Sequence, residues 1–141
     1  MSSTSPRQRI TAAVTGDGEA SFVARCVRLL DQPNTVDTTL IEDLGGDAAA
    51  HVLNGGEGGP TGYWPRTWAL RALLYAWGAV AEPAVLAACS DEHWRVREMA
   101  VKVIATRMTS PVETAATLDR LMTDNNPRVR AAADRARRTF T

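Results

Sequence analysis

Two segments of the chain repeat each other, and that repeat limits the possible folds more than any other feature. Asp91-Glu92-His93-Trp94-Arg95-Val96-Arg97 and Asp124-Asn125-Asn126-Pro127-Arg128-Val129-Arg130 both read Asp, three residues, then Arg-Val-Arg, 33 positions apart. The register continues beyond the motif: Ala100 matches Ala133, Lys102 matches Arg135 and Val103 matches Ala136. A weaker copy lies 31 positions earlier, where Arg66 matches Arg97, Ala69 matches Ala100, Arg71 matches Lys102 and Leu73 matches Ile104. Each copy reads as a short helix, a tight turn and a longer helix. One such pair cannot bury its apolar stripe alone, but stacked neighbours share a continuous core, so a period of this size predicts an α-solenoid.

The helical periodicity supports this along the chain. Residues 1–16 are polar and are expected to form a flexible N-terminal arm. Residues 17–141 are expected to form a single all-α domain of about three stacked helix pairs, with N-terminal helices capping one end. Phe22, Val23, Cys26, Val27 and Leu30 mark the first helical face, and Val36, Leu40, Ile41 and Leu44 a second that stops at Gly45-Gly46. A Gly-rich stretch over 54–62 cannot hold regular structure cheaply and reads as a flexible loop. Beyond it the inward stripes are Leu70, Leu73, Leu74 and Trp77, then Val96, Met99, Ala100, Val103 and Ile104, and finally Val129, Ala132, Ala133 and Ala136. Ser110-Pro111-Val112-Glu113 has the pattern of a capping box with Pro at the first helical position. No stretch alternates like a strand.

The Asp–Val-Arg signature with small residues after it resembles the HEAT-repeat superfamily, including its short, lyase-type members. The likeness is good over 82–139, moderate over 63–81 and only architectural over 17–53. It implies an armadillo-like helical stack in which Asp91, Val96, Arg97, Asp124, Val129 and Arg130 are structural. The valines face the core, each Asp caps its helix, and Arg97 and Arg130 bridge to Asp residues of adjacent repeats. It also implies that the longer helices line a concave face. Placed in register, these helices share a strip outside the core: Trp64, Thr67, Arg71 and Tyr75, then Arg95, Glu98 and Lys102, then Arg128, Ala131 and Arg135. Basic side chains beside aromatics suit an acidic peptide or a phosphate backbone, although long charged side chains also simply keep a helix face in solution.

The resemblance carries no catalytic motif. A scaffold or adaptor that binds a protein or peptide through one face is the expected role. A nucleic-acid-binding protein using the basic strip is the alternative, and a base-excision glycosylase with Glu98 as its acid is the third reading. The sixteen basic residues balance sixteen acidic ones, but residues 1–62 carry net −4 and residues 63–141 net +4, which favours an acidic partner for the second half. Cys89, Asp91 and His93 match no strong zinc spacing, and no metal or cofactor is expected. Cys26 and Cys89 sit in apolar patterns and read as reduced core thiols. With no signal-like or membrane-length apolar run, the expected compartment is the cytoplasm.

Overall fold

The computed structural model describes residues 4–108 and 111–139, the Pro111 side chain excepted. Ser110, which opens the expected capping box, lies outside the described residues. Among them the protein is all-α, with no strand. The chain divides into two compact units, Met1–Ala81 and Glu82–Thr141, where one domain over 17–141 was expected.

The first unit contains α1 (Pro6–Asp17), α2 (Glu19–Asp31), α3 (Thr38–Gly45), the short α4 (Ala49–Leu53) and α5 (Tyr63–Ala72). Helix α1 replaces the expected flexible arm. The Ser5 hydroxyl accepts the Gln8 N–H at 3.1 Å while the Gln8 side chain accepts the Ser5 N–H at 2.8 Å, a reciprocal cap with Pro6 at the first helical position. Its single anchor, Ile10, is buried, and Arg9 donates to the Asp43 and Leu44 carbonyls at 3.1 and 3.2 Å. One buried residue makes no periodic stripe, which is why the apolar pattern did not reveal the helix.

Helices α2 and α3 pack on α5, and α1 lies against both. The core joins Phe22, Val23, Cys26 and Leu29 of α2 to Leu40, Ile41 and Leu44 of α3 and to Trp68 and Leu70 of α5. The inner face of α2 therefore runs through Leu29, with Val27 and Leu30 only half-buried. Val36 is exposed because α3 begins after Asp37, whose carboxylate caps it by accepting the Leu40 N–H at 3.0 Å. Gly45 is required by approach, not by its dihedral angles: a Cβ there would stand 2.5 Å from the Trp68 ring. The Gly-rich stretch folds into a distorted 3-10 segment, Gly56–Thr61, against α4 and α5. Glu57 is the one non-glycine with positive φ (52°) among the described residues.

The second unit holds two helix pairs, α6 (Glu82–Ala88) with α7 (Trp94–Arg107) and α8 (Pro111–Leu121) with α9 (Pro127–Thr139). Helices α7 and α9 lie side by side, as the second helices of neighbouring solenoid repeats do. Val96 and Val129 are both 0% exposed, so the motif register holds. Around them Ala100, Val103, Ala132, Ala133 and Ala136 are buried, and these small residues let the helices approach closely. Val101 takes the inward place expected for Met99, which is half-buried.

The turn that opens each long helix is built in two steps, and Asp is not the cap itself. Asp91 accepts the His93 N–H at 2.9 Å, and the His93 Nδ1 then accepts the Arg95 N–H at 3.1 Å as the N-cap of α7. In the next repeat Asp124 accepts the Asn126 N–H at 2.9 Å and Asn126 accepts the Arg128 N–H at 2.9 Å. His93 thus does with a ring nitrogen what Asn126 does with an amide oxygen. Each Asp, three residues before the first helical residue, organises the loop, and the residue it orders satisfies the helix N–H.

Candidate functional site

Arg97 and Asp124 form the inter-repeat contact that the resemblance implied. The Arg97 Nε donates to Asp124 Oδ1 at 2.9 Å and Nη2 to Oδ2 at 3.1 Å, with the two side chains only 12% and 10% exposed. A third arm, Nη1, donates to the Asp91 carbonyl at 2.8 Å. Burial alone would raise the Asp124 pKa, but hydrogen bonds from Arg97 and the Asn126 N–H, with the charges of Arg97 and Arg130, hold it below the ordinary carboxylate range. Arg130 does not bridge to a neighbouring repeat's Asp side chain in this way; its guanidinium donates to the Asp124 carbonyl of its own turn at 2.7 Å. Of the six motif residues, Val96 and Val129 face the core, Arg97 and Asp124 join the two repeats, and Asp91 and Arg130 act within their own repeats.

The strip residues fall into three groupings. In the second unit, Arg95 and Arg128 both lie over the Trp94 ring, with guanidinium carbons 4.5 and 5.3 Å from its centroid. Arg128 also reaches the Glu98 carboxylate at 3.3 Å. Glu98, expected on the open strip, is instead buried at 9% exposure. Its position on α7 turns it toward α9, where a bare carboxylate would be costly and Arg128 supplies the counter-charge. So enclosed, Glu98 exposes little of its carboxylate to solvent.

The second grouping is Lys102 and Arg135. Both are exposed, and neither has a carboxylate partner among the described residues. They rim a shallow groove of about 140 Å³ between α7 and α9, floored by Val101, Ala105, Ala132 and Ala136.

The third grouping lies in the first unit. Trp64 and Arg71, with Trp68, His51, Val52 and Glu57, line a pocket of about 340 Å³. The Trp64 indole N–H donates to the Glu57 carboxylate, and the Trp64 and Trp68 rings stack 6.1 Å apart at 27°. Arg71 is half-buried, and its Nη2 donates to the Leu44 carbonyl at 2.8 Å at the C-terminal end of α3. Cations suit that end of a helix, and Arg9 occupies the same end. Burial first, then the like charge of Arg9, push the Arg71 pKa below the ordinary arginine value, with Tyr75 acting the other way.

Two strip positions do not join this pocket. Thr67 is buried with its hydroxyl donating to the Tyr63 carbonyl at 2.8 Å. Tyr75, 42% exposed, stands in the turn after α5 and not on the helix. Nothing in the spacing of His51, Glu57 and Trp68 along the sequence reveals that the 3-10 segment Gly56–Thr61 folds against α4 and α5 and brings these residues to one pocket.

Among the described residues no three His, Cys, Asp or Glu side chains converge as a metal site, and no helix is long and apolar enough to cross a membrane. Cys89 donates to the Val85 carbonyl at 3.6 Å in the core, while Asp91 and His93 serve the α7 turn.

No curated protein and no solved structure matches the chain. A family model of HEAT repeats matches residues 63–136, just over half of the 141 residues. The match takes in both Asp–Arg-Val-Arg segments and the paired, side-by-side helices built on them, and this chain belongs to the HEAT-repeat family.

Proposed function

We propose that the protein is a non-enzymatic interaction module, a scaffold or adaptor that binds an acidic stretch of another protein along the faces of α7 and α9. HEAT repeats are generally protein-interaction modules. The observation that carries the finer reading is the pair Lys102 and Arg135, exposed, unneutralised among the described residues and set on either side of an apolar groove. Two cations over alanine and valine suit a carboxylate-bearing segment that also has an apolar side chain to bury. The enclosed Glu98 supports a binding role over a base-excision one. Reduced, buried Cys26 and Cys89 fit the cytoplasm.

Affinity capture with the wild-type chain against a Lys102→Glu/Arg135→Glu variant tests this. A defined protein partner retained by the first and lost by the second is the expected result. Retention of the same partners by both variants would remove the groove from the proposal. Nucleic-acid binding is the second reading, favoured by the Trp94 ring under Arg95 and Arg128. It requires retention on DNA or RNA that falls steeply with salt and disappears in Arg95→Glu/Arg128→Glu.

A further inference from the structure

Arg71 differs from Arg25 and Arg97, half-buried arginines whose charge a carboxylate balances. Arg25 has Asp17 and Asp37, and Arg97 has Asp124. Arg71 has only the Leu44 carbonyl on Nη2. Its Nε is buried without an acceptor, and Nη1 is neither buried nor bonded to any described residue. The neighbouring charge is Arg9, which adds to the positive potential. The one acid lining the same pocket, Glu57, is engaged by the Trp64 indole. A half-desolvated cation beside two tryptophan faces is thus left without a counter-ion among the described residues of its unit.

We infer that the pocket walled by Trp64, Trp68 and Arg71 seats an acidic side chain of a bound protein, its carboxylate on Arg71 and an adjacent apolar or aromatic side chain against the tryptophans. The inference deepens the interaction reading, and rests on it, by naming what the partner presents. About 340 Å³ is at the small end of ligand pockets, enough for one or two side chains. A single guanidinium with one open nitrogen suits a monoanion. A phosphate dianion would meet the same single cation and the negative Glu57 at the rim. Capture of a chain terminus uses nests of backbone N–H groups, whereas the cation at this pocket is the Arg71 side chain, so an acidic side chain is the group proposed.

Nitrogen-15 correlation spectra of the full chain provide the test, following the indole N–H signals. The probes are the capped dipeptide N-acetyl-Phe-Glu-amide and its neutral counterpart N-acetyl-Phe-Gln-amide. The Glu peptide is expected to give saturable shifts at Trp64 and Trp68, and the Gln peptide to bind about tenfold more weakly, the loss of a charge-assisted hydrogen bond. Arg71→Gln should erase the difference between the two peptides. Because Arg71 also anchors α3, a second variant guards against misfolding: Glu57→Gln, at an exposed position, removes a like charge and should tighten the Glu peptide but not the Gln peptide.

Equal binding of the two peptides, no saturation up to about 10 mM, or a Glu57→Gln variant that does not tighten the Glu peptide would each overturn the assignment. So would tighter shifts from a thymidine dinucleotide than from the Glu peptide, which would assign the walls to base stacking. Lys102→Glu/Arg135→Glu should leave these shifts intact. Normal dipeptide binding with groove-independent partner capture would sink the groove reading alone, and the converse would sink only the pocket.

Discussion

Replacing Arg97 with Met keeps the aliphatic stem and removes the group that ties the two repeats of the second unit together. The guanidinium makes two bonds to the Asp124 carboxylate, one to the Asp91 carbonyl and one to Asn125 Oδ1 at 3.2 Å. With both partners about nine-tenths buried, its loss leaves Asp124 with the Asn126 N–H and the more distant Arg130 charge. Removing one member of a well-buried pair costs about 3–5 kcal/mol, and the residual exposure here lowers this to about 2–4 kcal/mol. For a chain of this length that is a fall in Tm of roughly 6–16 °C. The pair term is isolated by a double-mutant cycle in urea with Asp124→Asn, which removes the charge but keeps an acceptor for Asn126. A coupling of about 1.5–3 kcal/mol is expected. A coupling below about 0.5 kcal/mol, the range of solvent-exposed pairs, would refute the claim that this bridge holds the repeats in register.

Three further outcomes follow from the same geometry. Asp124 and Asp37 titrate below the ordinary carboxylate range; for Asp37 burial pushes upward, but the hydrogen bonds from Arg25 and the Leu40 N–H, with the Arg25 charge, outweigh it. Their stabilisation is complete above about pH 4 and is lost as pH falls through the folded-state values, because the unfolded chain takes up protons first. Urea midpoints measured from pH 6 to pH 2 should show this decline, and it should be shallower in Asp37→Asn/Asp124→Asn. Gly45→Ala places a methyl group against the Trp68 ring and should cost about 1–3 kcal/mol by urea unfolding; an unchanged midpoint would mean that α3 and α5 are not in this contact. Burial pushes the Cys26 and Cys89 thiols up to about 12, so both should resist a thiol-specific disulfide reagent at pH 8 until denaturant is added. Fast labelling in native buffer would contradict the core packing of both.

The 33-residue repeat was enough to identify the fold, because Val96 and Val129 had to share one inward face whatever lay opposite. It also carried the Arg97–Asp124 pairing, through family likeness and not through spacing. Periodicity tells which residues leave a helix on the same side, but it does not report what waits there. Glu98 reads as a surface residue until Arg128, thirty positions later, lies close enough to neutralise it. Arg71 reads as one more solvated arginine until α3 ends beneath it and residues 51–57 fold back beside Trp64. Helix, turn and repeat register are local properties, set by side-chain size, Pro and Gly placement and a 3.6-residue period. Which charges end up buried, paired or uncompensated depends on groups far apart in the chain, and only tertiary packing brings those together.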